Sequence, residues 1–336
     1  MSRTLAIKYR PSTFDEVVEQ DEIKTILQNQ IASKDIKNAY LFIGGAGTGK
    51  TTCARIFANE VNNHQGSPIE IDGASNNGVD NVREISKQAT TRATDCEYKI
   101  FIIDECHMIS NSAWNAMLKL IEEPPLKTIF IFCTTNPEKI PKTILSRVQR
   151  YNFKRITTQG ITDRLIKICN EEDIKATEND LNYLAKIANG HMRDALTMLD
   201  KVRLLNNNIV TSESITSALG LNSYYELGML FDGIMQRNEE IVIRVIENCH
   251  NNGNDLKLLI EDEIKFVVDY LKWSVTKSLE YCSCPDFVED LFKSYKVDSQ
   301  RVKKYLGTLI EMKNTIKYDE FPKDSIESWL LLECLI

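Results

Sequence analysis

The sequence predicts an α/β nucleotide-binding fold, a parallel sheet flanked by helices, followed by a long region that is helical throughout. Three observations carry that expectation. Residues 44–51, Gly44-Gly-Ala-Gly-Thr-Gly-Lys-Thr51, fit the phosphate-loop pattern G-x-x-x-x-G-K-[ST], with a short apolar run before them at 39–43 and a helical pattern after them to residue 61. A second apolar run, Lys99-Ile-Phe-Ile-Ile, ends in the pair Asp104-Glu105, as suits a parallel strand buried on both faces. From Thr157 onward apolar residues recur at helical spacing almost without interruption.

The phosphate loop names the first set of site residues. Its glycines permit a turn tight enough for successive N–H groups to face an anion, and the helix after it adds a favourable dipole. Gly45, Ala46, Gly47, Thr48, Gly49, Thr51 and Thr52 would cradle the phosphates of ATP, and Lys50 would reach the β- and γ-phosphates. The Thr51 hydroxyl would ligate Mg²⁺. An ordinary glycine-rich turn is the plainer alternative; the matched positions and their flanks favour the nucleotide. Asp104 would hold Mg²⁺ from the carboxyl end of its strand, where ligands bind in open α/β sheets. Glu105 would orient the attacking water and take its proton. A carboxylate pair at a strand end can also simply cap the next helix.

Composition sets the bounds. With 43% hydrophobic and 26% charged residues, the 336-residue chain reads as a soluble globular protein of two or three domains. No run of about 18 apolar residues occurs, and the N-terminus lacks the apolar core of a signal peptide. A cytoplasmic protein without membrane contact is therefore expected. Nine cysteines form no C-x-x-C pair, and Cys282-Ser-Cys284 is too close and too isolated for a zinc site, so reduced core thiols are expected. A net charge of −7 does not mark a nucleic-acid binder, although a basic stripe can be local on an acidic molecule.

The other elements come in chain order. Pro11 disfavours helix at Arg10, which gives an extended arm over 9–14, with Asp15 or Asp21 capping a helix that runs to Ile31. A strand over 67–72 leads through turn residues to a helix over 79–91, on which Arg83, Lys87 and Arg92 make a partly basic face. Trp114, Met117, Leu118 and Ile121 mark a core-facing helix over 110–123, stopped by Pro124-Pro125. A strand over 128–133 ends in Thr134-Thr135, a short helix over 142–148 carries Arg147, and a strand succeeds it over 149–153. Helices over 161–171, 178–188 and 191–205 make a compact unit with Arg193 early in the third; a short helix over 211–219 and a linker at 220–222 come next. The rest shows helical periodicity and no catalytic constellation, as an all-α packing domain would.

An α/β nucleotide-binding domain with a small helical lid is the AAA+ layout, and several phrases narrow the family. They are Tyr9-Arg-Pro11, Asp104-Glu-Cys-His107, the run from Leu118 to Pro125, Thr134-Thr-Asn-Pro137, Leu145-Ser-Arg147 and Gly190-His-Met-Arg193. In these the sequence resembles the sliding-clamp loader ATPases, of the gamma/tau type in bacterial DNA polymerase III. The resemblance is dense over 5–205 and weaker beyond. It implies an α/β domain over 1–155, a helical lid over 156–221 and an all-α collar over 222–336 that joins subunits into a ring. It places Thr135 at the first sensor position and Arg193 at the second, facing the nucleotide of its own subunit. Arg147 becomes an arginine finger for the ATP of the neighbouring subunit. Tyr9, Arg10, Pro11, Val17 and Val18 would line the adenine and ribose side. The implied activity is ATP hydrolysis, stimulated by DNA and the clamp, that drives loading of a ring-shaped clamp onto primer–template DNA. Other loader subunits would be partners in a hetero- or homo-pentameric ring, with the Arg83 helix facing the DNA.

Two departures stand out. The family usually carries a four-cysteine zinc module after the phosphate-loop helix; here residues 59–66 pass directly to the next strand, so no zinc is expected. The motif Ser-Arg-Cys is Ser146-Arg147-Val148, which keeps the finger residue. The sequence also ends after the collar, as a gamma-like or phage-encoded minimal loader would. Two other readings are open. One is an ATP-binding scaffold subunit with negligible hydrolysis, against which the complete set Lys50, Asp104, Glu105 and Arg193 stands. The other is a helicase loader or recombination ATPase, which should lack this collar.

Overall fold

In a computed structural model, residues 4–91, 93–319 and 322–335 are described; Arg92 of the expected basic face lies outside them. The described residues up to Arg164, with Ala188–Thr197, form one compact unit. Leu165–Ile187 and the described residues from Met198 onward form a second.

The first unit is built on five strands: β1 (Ala39–Ile43), β2 (Ile69–Asp72), β3 (Lys99–Asp104), β4 (Thr128–Thr134) and β5 (Gln149–Asn152). All pairings are parallel, in the order β2-β3-β4-β1-β5. Strand side chains alternate between two apolar layers, as the pleat requires. Tyr40, Phe42, Ile100, Ile102 and Ile131 pack against helices Asp21–Ser33 and Lys50–Val61. Leu41, Phe101, Ile103, Phe130 and Phe132 pack against helices Val79–Thr90 and Asn111–Glu122. Trp114 of the last helix lies 5.3 Å from Phe132, ring centre to ring centre. Ser110 caps that helix by accepting from the Ala113 N–H.

The strand register brings the polar strand tips together. Asp104 stands opposite Asp72, and Thr134 opposite Ile43, so the carboxyl ends of these four strands form one edge.

Local differences have tertiary causes. A one-turn helix, Leu5–Lys8, precedes the extended arm, and Leu5 is fully buried. Neither Asp15 nor Asp21 caps the next helix; Gln20 holds that position with a left-handed φ of 57°. Its side chain is engaged elsewhere: Nε2 donates to the Lys154 carbonyl at 2.7 Å, and the Lys154 N–H donates to Oε1 at 3.1 Å.

The second unit contains parts of helices Thr158–Glu171, Glu178–Ala188 and Met192–Leu205, and a two-residue parallel pair, β6 (Lys175–Ala176) with β7 (Ile209–Val210). Pairs this short leave no periodicity to read. Asn222, expected in a linker, is buried and donates Nδ2 to Asp262 at 3.0 Å. The C-terminal helices Tyr224–Gln236, Glu239–Asn251, Leu256–Thr276, Val288–Ser294, Ser299–Ile316 and Pro322–Leu335 surround a core holding Phe231, Phe266, Phe292 and Tyr305. Ser223, Asn238, Asp255 and Asp298 cap four of them through side-chain acceptors. All nine cysteines are free, and no helix among the described residues is long and apolar enough to cross a membrane.

Glu263 lies in that C-terminal core without solvent exposure. The Tyr305 hydroxyl donates to its Oε1 at 3.1 Å, and Oε2 has no partner. Burial pushes this carboxyl well above the ordinary carboxylate range, so the folded chain keeps the proton to higher pH than the unfolded chain does. The resulting destabilisation is absent below the ordinary carboxylate value and grows as pH rises above it. Glu263→Gln, which keeps the shape without the charge, should melt at a higher temperature than the parent at neutral pH. At about pH 4, near the ordinary glutamate value, the two melting temperatures should converge. Thermal melts of both proteins across pH check it.

Candidate nucleotide-binding site

The loop between β1 and helix Lys50–Val61 depends on its glycines. Gly47 and Gly49 have φ of 66° and 100°, and a Cβ on Gly44 would come within 2.7 Å of the Phe153 carbonyl. Thr48 Oγ1 donates to the Gly45 carbonyl at 2.9 Å and closes the loop on itself. Lys50 is only 6% exposed, and its Nζ donates to the carbonyls of Gly44 at 2.9 Å and Gly45 at 2.7 Å. Burial pulls its pKa down, against the opposing pull of the Cys133 thiol and the carboxylates of Glu105 and Asp104.

The strand tips bring the remaining chemistry to this lysine. Thr51 Oγ1 donates to Asp104 Oδ2 at 2.7 Å, so the two residues expected to ligate Mg²⁺ already touch. Hydroxyl and carboxylate oxygens suit a hard cation that keeps part of its water shell. Asp104 Oδ1 accepts the Glu105 N–H at 3.0 Å. Glu105 sits at φ 44°, and its side chain makes no cap to the short turn Cys106–Met108. Instead Oε2 accepts from Thr135 Oγ1 at 3.2 Å and lies 3.2 Å from His107 Nδ1.

A cavity of about 460 Å³ opens beside the loop, within the same unit. Tyr9, Arg10, Pro11 and Val18 line it from the N-terminal stretch; Gly47, Gly49, Lys50, Thr51 and Thr52 from the loop; and Arg193 from the start of helix Met192–Leu205. Gly45, Ala46 and Thr48 belong to the loop but not to that lining. Val17 lies in the apolar layer of the sheet instead. Burial lowers the Arg10 pKa, and Arg55 and Arg193 lower it further against Glu70 and Asp104. These neighbours set its guanidinium among the charges of the phosphate end.

Arg147 stands apart from the cavity lining. Its Nε pairs with Glu122 Oε1 at 2.7 Å, and a terminal nitrogen donates to the Thr143 carbonyl at 2.7 Å. Sequence reasoning missed Ile156, Met192 and Leu196, which add an apolar wall. It also missed Arg164, whose guanidinium donates to the Tyr9 carbonyl at 3.4 Å. Only the folding of distant segments together could reveal these. Among the described residues, no group of three or more His, Cys, Asp or Glu could hold a metal ion.

Residues 69–157 match the family model described as DNA polymerase III, delta subunit. Residues 160–202 match that of the DNA polymerase III clamp loader subunit, ATPase lid domain. The chain is 35% identical, over 97% of its length, to DNA polymerase III subunit tau of Bacillus subtilis. It is 33% identical, over 77% of its length, to subunit tau of Escherichia coli. Over most of its length the chain is similar to the gamma/tau subunits of DNA polymerase III. It spans 62% of the length of the first of these gamma/tau relatives and 43% of the second. A solved structure titled as the RuvB Holliday junction branch migration motor of Thermotoga maritima is 17% identical, with a TM-score of 0.54 over 67% of this chain and 79% of its own. That likeness shows a shared fold. The match to the lid-domain model begins at residue 160 and ends inside helix Met192–Leu205, so it includes Arg193.

Lys50 is the only lysine lining the described cavity. Lys50→Ala should therefore abolish binding of a labelled ATP analogue while leaving the fold intact. Unchanged affinity in an equilibrium titration would remove the phosphate-loop assignment.

Proposed function

We propose that this chain binds ATP with Mg²⁺ and hydrolyses it as a motor subunit of a sliding-clamp loader, coupling turnover to placement of the clamp on primer–template DNA. One observation carries the reading: the Thr51–Asp104 contact beside buried Lys50, with Glu105 one residue further on and bonded to Thr135. Phosphate cradle, metal-ligand oxygens and a carboxylate base meet on one sheet edge, and hydrolysis of a nucleoside triphosphate needs these three groups.

In this mechanism the loop N–H groups and Lys50 hold the β- and γ-phosphates. Thr51 and Asp104 would hold Mg²⁺, which would neutralise charge developing on the phosphate oxygens. Glu105 orients the water and accepts its proton. Thr135 bonds Glu105, and Arg193, at the cavity wall, contacts the nucleotide of its own subunit. Arg147 completes the site of the adjacent subunit. Other loader subunits, the clamp and duplex backbone are the proposed partners; helix Val79–Thr90, carrying Arg83, faces DNA through charge and its N-terminus without reading bases. The functional division is an α/β domain over 1–155, a lid over 156–221 and a collar over 222–336, in the cytoplasm and without zinc.

The deciding assay is ATPase rate with and without primed DNA and a candidate clamp. Stimulation that requires both supports loading; stimulation by branched DNA alone would instead support a DNA motor. Glu105→Gln should keep ATP binding and lose turnover by about 10²–10⁴-fold. Retained turnover would reduce Glu105 to a structural role.

Arg147 tests the ring. Arg147→Ala should leave ATP affinity per subunit nearly intact while stimulated hydrolysis falls by about 10³–10⁵-fold. Assemblies mixing Arg147→Ala with Lys50→Ala subunits should regain hydrolysis at interfaces that pair an intact loop with an intact finger. No recovery in mixtures shown to assemble would exclude action across the interface.

A further inference from the structure

The proposed base is approached from two sides. Thr135 Oγ1 donates to Glu105 Oε2 at 3.2 Å, and His107 Nδ1 lies 3.2 Å from the same oxygen. That ring nitrogen also lies 3.3 Å from Thr134 Oγ1. His107 belongs to the short turn Cys106–Met108 directly after β3, and its side chain is 10% exposed against 40% for Glu105.

The neighbours assign the tautomer. Thr134 Oγ1 accepts the Asn136 N–H at 3.0 Å. The Glu105 carboxylate oxygen has no proton to give the imidazole. Beside that oxygen, 3.2 Å away, Nδ1 is a favourable neighbour only when it carries the proton. The ring is thus anchored to the tip of β4, and it holds the carboxylate at the tip of β3.

We infer that His107 is a positioning residue: its Nδ1–H, with the Thr135 hydroxyl, holds Glu105 Oε2 so that Oε1 is left for the attacking water. The inference rests on the reading of Glu105 as the base. A single bond from Thr135 would fix one oxygen yet leave the carboxylate free to swing about it. A second donor from another direction removes that freedom. Misplacing a reacting group by about 1 Å can lose about 10²-fold in rate.

Three substitutions separate positioning from packing. His107→Asn keeps an amide N–H where Nδ1 was, His107→Gln carries its amide further out toward the Nε2 position, and His107→Ala has no donor. Each is measured in the full assembly for kcat, with binding of a labelled ATP analogue and thermal midpoint alongside. His107→Ala and His107→Gln should lower kcat by about 10- to 10²-fold with nucleotide affinity retained, and His107→Asn should recover most of the rate. In a Glu105→Gln background the same changes should have no further effect, since coupled residues are not additive. Equal losses in His107→Asn and His107→Ala, or losses that track nucleotide affinity, would overturn the inference. So would unchanged kcat in His107→Ala while Glu105→Gln is inactive. If Glu105→Gln itself keeps its turnover, the reading of Glu105 as the base fails, and the inference resting on it fails with it.

Discussion

The parallel register of β1, β3 and β4 is the constraint on which the site depends. Ile43 stands opposite Thr134, and Asp72 opposite Asp104, so the phosphate loop, the carboxylate pair and the two threonines leave the sheet at one edge. A slip of one residue in β3 would turn Ile100 and Ile102 into the layer now filled by Phe101 and Ile103. Both layers are apolar, so hydrophobicity alone does not forbid the slip; the fit of Phe101 against Phe130, 5.3 Å apart and nearly parallel, and of Trp114 against Phe132 helps to set the register. Gly73 reports how tight the edge is. Its N–H donates to the Asp104 carbonyl at 2.8 Å, and a Cβ there would come within 2.8 Å of the Glu105 carbonyl. Aromatic packing in the core thus holds the Asp104 carboxylate at hydrogen-bond distance from a loop hydroxyl.

Charge is arranged on the same edge. Lys50 is withdrawn from water beside Asp104 and Glu105, while Arg10 lies near two other guanidinium groups, those of Arg55 and Arg193. Clustered cations repel one another, and burial denies Lys50 hydration as well. A polyanion at that point relieves both penalties, so the same groups that strain the protein alone favour a bound triphosphate. This is electrostatic preorganisation, in which the arrangement is fixed during folding and need not be made during the reaction.

The readable parts of the sequence are those whose physics is local. The loop at 44–51 and the pair Asp104-Glu105 are contiguous, so spacing alone reveals them, and buried parallel strands announce themselves as unbroken apolar runs. The unreadable parts come from distant residues meeting. Gln20 occupies the helix N-cap position while residue 154 holds its side chain, and Asn222 is buried where Asp262 accepts from it. Arg164 reaches the cavity from a helix that periodicity describes only as amphipathic. His107 looks like one more residue of a strand-end phrase until β4 is placed beside it. Periodicity also reveals the helices of 165–187 without their partner: Lys186 Nζ donates to the Cys284 carbonyl at 2.9 Å, nearly a hundred positions away in sequence.

Arg147 shows how the resting contacts of a side chain bear on its proposed role. Its guanidinium is engaged within its own subunit, by Glu122 and by the Thr143 carbonyl, so service to a neighbour requires giving up that pair. Both partners are well exposed, 39% and 45%, and an ion pair of that kind contributes about 0–1 kcal/mol. A guanidinium delivered to a transferring phosphoryl group lowers the barrier by an amount equivalent to about 10³–10⁵ in rate, or about 4–7 kcal/mol. In the proposed role the exchange would therefore be favourable by several kilocalories per mole in the transition state of the neighbour's hydrolysis. On that proposal Glu122 is a weak holder, and a partner with a stronger grip on the guanidinium would hinder the exchange.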